Sequence, residues 1–231
     1  MTTTAAEPWT TARHPLARLL RSVVAGSPPD SDGGWTRVSP WIPTVQAMVA
    51  FTGHTIVAVS YDVTDAQLID LGVDGAGGAL SPRVFAALAG PTGWIGAPQL
   101  LYAALGTGSG QHAELSSRSD LSRHPYVQAS RRSHQDLQIL GSGDGDAVDL
   151  VVLSRGVAGV REIGVYVHPA GRNHGRGAGL ASAALGAVPE NELVLASSTL
   201  GDAAALRALT RGGFTPIGAV QMFSNRPEHA L

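Results

Sequence analysis

The stretch from Glu162 to Leu185, EIGVYVHPAGRNHGRGAGLASAAL, constrains the fold more than any other part of this chain. It begins with a short apolar run, Glu162 to Val167, whose β-branched and aromatic residues predict a buried strand. Proline and glycine between His168 and His174 then predict a tight crossing. From Gly175 small residues and leucines run without a breaker to Pro189, which predicts a helix. A strand, a loop and a helix start in that order leave several backbone N–H groups without internal partners, all facing one concavity. The helix dipole adds partial positive charge at the same point, so the junction favours a phosphate group. Gly175 and Gly177 keep a Cβ out of the path of a bulky anion, and Arg172 and Arg176 bring formal charge beside it.

Three phosphate-loop patterns compete for this segment. A Walker loop needs lysine followed by Ser or Thr after its second glycine, and neither is present. A dinucleotide fingerprint needs G-x-G-x-x-G, but its third position here is Leu180, and no ribose-binding acid follows at the right distance. R-x-x-G-x-G does fit, as Arg172, Gly175 and Gly177 after a strand ending Val-His-Pro. That pattern resembles the acetyl-CoA pyrophosphate loop of the GNAT acetyltransferase superfamily. The bland alternative is a glycine-rich helix start that binds nothing.

The downstream chain extends the resemblance. Glu192–Ala196 reads as a strand, and Asp202 as the N-cap of a helix Ala203–Arg211 closed by Gly212. Gly213-Phe214 and a strand Ile217–Phe223 follow. The order and spacing are similar to the C-terminal half of the superfamily over Val148–Phe223.

The likeness implies an α/β (α+β) fold, with a mixed, mostly antiparallel central sheet flanked by helices and splayed near the strand that ends at Val167. Three divisions are expected: a helix and irregular arm over 1–43, an N-terminal lobe over 44–120, and the acetyl-CoA-binding core over 121–231. Few residues follow Phe223 for a final strand. Either the Ile217–Phe223 region is split, or an N-terminal strand or a second copy of the chain in a homodimer covers that edge.

The chemistry implied is transfer of an acetyl group from acetyl-CoA, as co-substrate and without a metal, to the amine of a small molecule or peptide. Val165, Tyr166 and Val167 would hold the pantetheine like an added strand. Arg172, Asn173, His174, Gly175, Arg176, Gly177 and Ala178 would hold the pyrophosphate, and Asp202 would complete the cofactor site. Many family members start the last helix with Asn and carry a Tyr there as proton donor; the corresponding positions here are Asp202 and Leu209. Glu162 is the candidate base, with a strand-start salt bridge to an arginine as its bland reading, and His168 is a candidate proton relay. The alternative function is a CoA-binding regulatory module with weak or no catalysis; a nucleotide-binding domain of another type is the third.

Composition removes other classes. A net charge of −2 and the lack of any basic run give no attraction to nucleic acid. Cysteine is absent, which excludes disulfides, thiol nucleophiles and thiolate metal sites. Lysine is absent as well, so Schiff-base chemistry is closed to the chain. No H-x-x-x-H or His–carboxylate spacing points to a metal. Leu16–Val24 is broken by Arg18 and Arg21, and Val45–Val59 by Gly53 and His54, so neither reads as a signal or a membrane span. A soluble cytoplasmic protein is expected.

The N-terminal part is read from local signals. Residues 1–12 are polar and read as mobile. Pro15 opens an amphipathic helix with Leu16, Leu19, Leu20, Val23 and Val24 on one face, packed on its own domain. Gly26–Pro43 reads as a linker or irregular arm, whose Trp35 and Trp41 require it to lie on the domain. Val45–Phe51 and Thr55–Tyr61 read as a hairpin. Thr64 with Gln67 reads as a capping box, and Ser81-Pro82 opens a helix that Gly90-Pro91 stops. Ile95–Leu105 is ambiguous between helix and strand, and Gly106–Gly110 reads as a flexible joint. Pro125–Ser133 is a short helix. Asp136–Leu140 and Val148–Leu153 are strands across a Gly-Asp-rich hairpin turn that lacks the later ligands of a calcium loop.

Overall fold

A computed structural model describes residues 13–110, 115–131, 134–143 and 148–226. The segment 1–12, Arg132, Ser133 and residues 144–146 of the Gly-Asp-rich turn lie outside these residues. The strands are β1 (Trp35–Val38), β2 (Gln46–Phe51), β3 (His54–Ala58), β4 (Trp94–Ile95), β5 (Gln99–Leu105) and β6 (Ser116–Ser117), followed by β7 (Gln135–Ser142), β8 (Asp149–Arg155), β9 (Arg161–Tyr166), β10 (Leu193–Thr199) and β11 (Thr215–Ser224). The helices are α1 (Pro15–Val24), α2 (Asp65–Asp70), α3 (Pro82–Ala89), α4 (Pro125–Ser130), α5 (Arg176–Gly186) and α6 (Ala203–Arg211).

The described strands all join one sheet in the order β1-β3-β2-β11-β5-β10-β9-β8-β7-β6, with β4 paired to β11. Among the described residues β1/β3 and β9/β10 run parallel and the other pairs antiparallel. The architecture is a mixed α/β fold with a mostly antiparallel sheet flanked by helices. Strand alternation divides the apolar residues between two faces. Val49, Leu101 and Leu195 pack with Leu16 and Leu20 of α1 on one face, where Leu150 and Val152 also pack with Val127 of α4. On the other face Tyr102, Val194 and Ile163 meet Leu180 of α5 and Leu209 of α6, and Met48 and Val57 meet Leu68 of α2 and Phe85 of α3.

The edge beyond Phe223 is closed from within the chain. β5 lies between β10 and β11, and β2 pairs with the other side of β11 over Ala219–Phe223. An N-terminal strand therefore covers that edge, and a second copy of the chain is not needed there. The same pairing carries the sheet through both the 44–120 and 121–231 segments. The sheet also settles most of Ile95–Leu105 as strand: Gln99–Leu105 is β5, fixed by β10 and β11 on its two sides, Ile95 ends β4, and residues 96–98 between them are not in a strand.

Local signals translate directly where they are self-contained. Thr64 and Gln67 form the reciprocal capping box. Ser81 Oγ accepts the Arg83 N–H before α3, which Gly90 ends at φ +71°. α1 buries Leu16, Ala17 and Leu20 against its own sheet. Two expectations change. The arm over Gly26–Pro43 contains β1, paired to β3. The Gly106–Gly110 joint is pinned, because Gly106, Thr107 and Gly108 donate their N–H groups to the carbonyls of Glu192, Leu185 and Val188 at 2.8–3.0 Å.

Candidate functional site

The parallel strands β9 and β10 share only three register pairs, the last being Ala196 with Ile163. Beyond it they separate, and β9 continues to Tyr166 against β8 alone. The splay expected near Val167 thus begins just after Ile163. His168 donates its N–H to Asp149 Oδ1 at 2.8 Å on the β8 side. Because successive N–H groups point to opposite edges, those of Val165 and Val167 face the gap left by β10. That is a free strand edge of the kind an extended chain can pair with.

The chain then turns through a short 3₁₀ segment, Pro169–Gly171, into α5. Asn173 and Gly175 both adopt positive φ, +66° and +78°, and wrap the backbone around His174. Gly175 is the N-cap of α5 and offers no side-chain acceptor, so the N–H groups of Arg176 and Gly177 have no helical partner. Arg172, Asn173, His174 and Gly175 are solvent-exposed. Arg172 donates Nε–H to the Val167 carbonyl at 3.1 Å, which anchors its stem and leaves the outer guanidinium edge at the loop.

Two loop residues have a different local role from the one expected. The Arg176 guanidinium is paired with Asp149 Oδ2 and is not free charge at the loop mouth. Asp149 is almost wholly buried at the start of β8, and with its other oxygen on His168 it ties β8, the end of β9 and the first turn of α5 together. Gly177 faces α6: a Cβ there would stand 3.1 Å from Ala208 Cβ, so the glycine sets the close approach of α5 to α6. Ala178 donates to the Gly175 carbonyl within the first turn. Asp202 caps α6 through the Ala204 and Ala205 N–H groups at 3.1 and 2.9 Å. Leu209 is buried among Leu180, Ala181 and Phe214 and contributes only packing.

At the apex of the splay sits Glu162, 3% exposed. Among the described residues it is not paired with arginine. Ser197 Oγ donates to its Oε1 at 2.9 Å, the Val157 N–H donates to Oε2 at 3.3 Å, and His134 Nε2 lies 3.4 Å from Oε2. His134 Nδ1 faces the Ser130 carbonyl at 3.2 Å, so both ring nitrogens meet acceptors and the cationic ring satisfies both. Burial by itself would raise the Glu162 pKa, but the His134 charge and the hydrogen bonds from His134, Ser197 and Val157 bring it below the ordinary carboxylate value. Burial works the other way on His134, and the Glu162 charge with its hydrogen bonds overcomes it and raises the imidazole pKa. Ser197 is the first β10 residue past the last β9 pair and is half-buried, so its hydroxyl connects the opening to Glu162.

His168 caps the 3₁₀ turn: its Nδ1 accepts the Ala170 N–H at 3.3 Å. Tyr166 shares the Glu162 face of β9 and packs against Tyr126 of α4 and His124, with ring centroids 5.6 and 4.9 Å apart. The structure therefore brings Glu162, Val165, Tyr166, Val167 and the 172–177 loop to one region. It adds His134, Ser197, Asp149 and Tyr126, which sequence reasoning did not single out. Asp149 alone had a signal, a carboxylate inside an apolar strand run. Among the described residues no group of three His, Asp or Glu side chains could hold a metal, and no helix is long and apolar enough to cross a membrane.

No protein-family model matches the chain, and no curated protein matches it. Among solved structures, a protein assigned to the GNAT acetyltransferases from Novosphingobium aromaticivorans is similar at 18% identity, with a TM-score of 0.42 over 59% of this chain and 69% of that one. A conserved protein of unknown function from Staphylococcus epidermidis has 14% identity and a TM-score of 0.40 over 63% and 68% of the two chains. A GNAT-family acetyltransferase from Colwellia psychrerythraea has 15% identity and a TM-score of 0.32 over 57% of each.

Proposed function

We propose that the protein is a GNAT-type N-acetyltransferase that moves the acetyl group of acetyl-CoA to the amine of a small molecule or peptide. The observation that carries this reading is the loss of β10 pairing after Ile163, which frees the β9 edge immediately before a turn and an uncapped helix start. In this reading the pantetheine pairs with the Val165–Val167 edge. The pyrophosphate takes the N–H groups of the Gly175–Gly177 turn and the outer edge of Arg172, and Asn173 and His174 flank it. The Val165 N–H polarises the thioester carbonyl.

The amine attacks the thioester carbonyl carbon, the C–S bond breaks, and one proton leaves nitrogen. Glu162 receives it through the Ser197 hydroxyl, because the carboxylate is too buried to meet the amine itself. Its depressed pKa keeps it ionised at neutral pH. His168 holds the turn through its Nδ1. A panel of amines assayed for acetyl-CoA-dependent thiol release tests the proposal. At least one amine should support turnover that E162Q reduces by about 10²–10⁴-fold, the usual range for general acid–base catalysis.

A second reading has its own support. Glu162 is locked in an ion pair and Leu209 lies in the core, as a CoA-binding regulatory module with no turnover would permit. Binding of acetyl-CoA with no thiol release from any amine would select it.

A further inference from the structure

Tyr126 carries a hydroxyl that the fold does not use. It belongs to α4, which packs on the Glu162 face of the sheet with Val127 buried beneath it. Among the described residues the phenolic oxygen has no hydrogen-bond partner, although the residue's backbone N–H and carbonyl both do. The ring is held by Tyr166, and the hydroxyl is turned inward over β9: a Cβ added to Gly164 would stand 2.5 Å from the Tyr126 oxygen. Gly164 is the first β9 residue past the last β10 pair. The hydroxyl therefore lies over the strand where β10 departs, beside the edge that carries the Val165 N–H. An unsatisfied O–H at such a place costs free energy unless a ligand accepts from it.

We propose that Tyr126 is a catalytic residue that donates its O–H hydrogen bond to the thioester carbonyl oxygen as that oxygen becomes an oxyanion. The inference rests on the acetyltransferase reading and adds to it a side-chain donor from α4, an element to which the resemblance assigned no role. As nitrogen attacks the carbonyl carbon, the C=O π pair moves onto oxygen, which receives the Tyr126 hydrogen bond and the Val165 N–H. The oxyanion collapses, the C–S bond breaks with its pair on sulfur, and the proton lost by nitrogen passes through Ser197 to Glu162 and then to the thiolate. Amine and acetyl-CoA become amide and CoA, and Tyr126 keeps its proton throughout. Burial first, and then the Glu162 charge, push the Tyr126 pKa up to about 12, which keeps the phenol a neutral donor at every working pH.

The test is Y126F in the full chain. Since the hydroxyl has no partner among the described residues, the Tm is expected to stay level or rise, and the acetyl-CoA Kd to stay within about twofold. Turnover should fall about 10²–10³-fold, as on loss of one oxyanion donor. Infrared spectroscopy of bound carbonyl-labelled acetyl-CoA should show a smaller downshift of the C=O stretch than in the unsubstituted protein, a change that a purely structural role would not cause. Unchanged turnover in Y126F, with the unsubstituted protein active, overturns the proposal and leaves the acetyltransferase reading intact. A Tm loss that accounts for the whole activity loss also overturns it. Failure of the unsubstituted protein to bind acetyl-CoA removes the parent reading instead, and this proposal with it. If Y126F does not fold, Gly164→Ala, whose methyl would displace the hydroxyl, should show the same loss of turnover; full activity there overturns the proposal.

Discussion

Glu162 has lost nearly all contact with solvent, and Ser197, the Val157 N–H and His134 replace the water it gave up. Breaking such a pair leaves one buried charge uncompensated, so H134A is expected to cost about 3–5 kcal/mol in urea unfolding. The pair also sets a pH window. Glu162 has a lowered native pKa, so its contribution is complete above its ordinary value of 4.5 and is lost as pH falls through the native value. His134 has a raised native pKa, so its contribution is complete below its ordinary value of 6.5 and is lost as pH rises through the native value. Stability from the pair should be greatest between those two ordinary values. Tm profiles of the unsubstituted protein and H134Q should differ most in that interval, and parallel profiles would contradict the assignment. None of this was legible in the sequence, because His134 and Glu162 belong to different elements and no spacing rule relates them. Among the described residues His134 stands beside Glu162 where an arginine was considered, and no spacing rule names it.

At the scale of elements, the strand-turn-helix unit around Gly175 was legible because each of its signals is local. Glycine at φ +78° stands where no Cβ would clash, so conformation alone requires it. Gly175→Ala should cost about 1–2 kcal/mol, the ordinary strain of an L-residue in the left-handed region, and weaken acetyl-CoA binding. Gly177 was read as making room for an anion, whereas its neighbour is Ala208 of α6. Gly177→Val should cost about 1–3 kcal/mol by overpacking, measured as a shift in denaturation midpoint with unchanged slope. The buried Asp149 strut holds the same unit from below. Asp149→Asn keeps the shape but removes the charge opposite Arg176, and calorimetry should find weaker acetyl-CoA binding with little change in the rest of the fold.

For the whole molecule, helix caps and hairpins could be read in order along the chain, but the order of strands across the sheet could not. β5 enters between β10 and β11 from more than eighty residues upstream, and no local signal announces that placement. A chain beginning at residue 111 should therefore fail to fold cooperatively, since it would expose the facing edges of β10 and β11 and leave Val194, Leu195 and Val220 without β5. A sharp unfolding transition from that fragment would contradict the account.

The central claim is that the gap between β9 and β10, with the turn that follows, is a CoA site. Calorimetric titration of the full-length protein with acetyl-CoA, CoA, ATP and NAD, repeated on Gly175→Trp, tests it directly. The account predicts saturable binding of acetyl-CoA and CoA, none of comparable strength for ATP or NAD, and loss of both CoA signals in a Gly175→Trp protein that remains folded. Absence of CoA binding, or binding unaffected by the tryptophan, would contradict it.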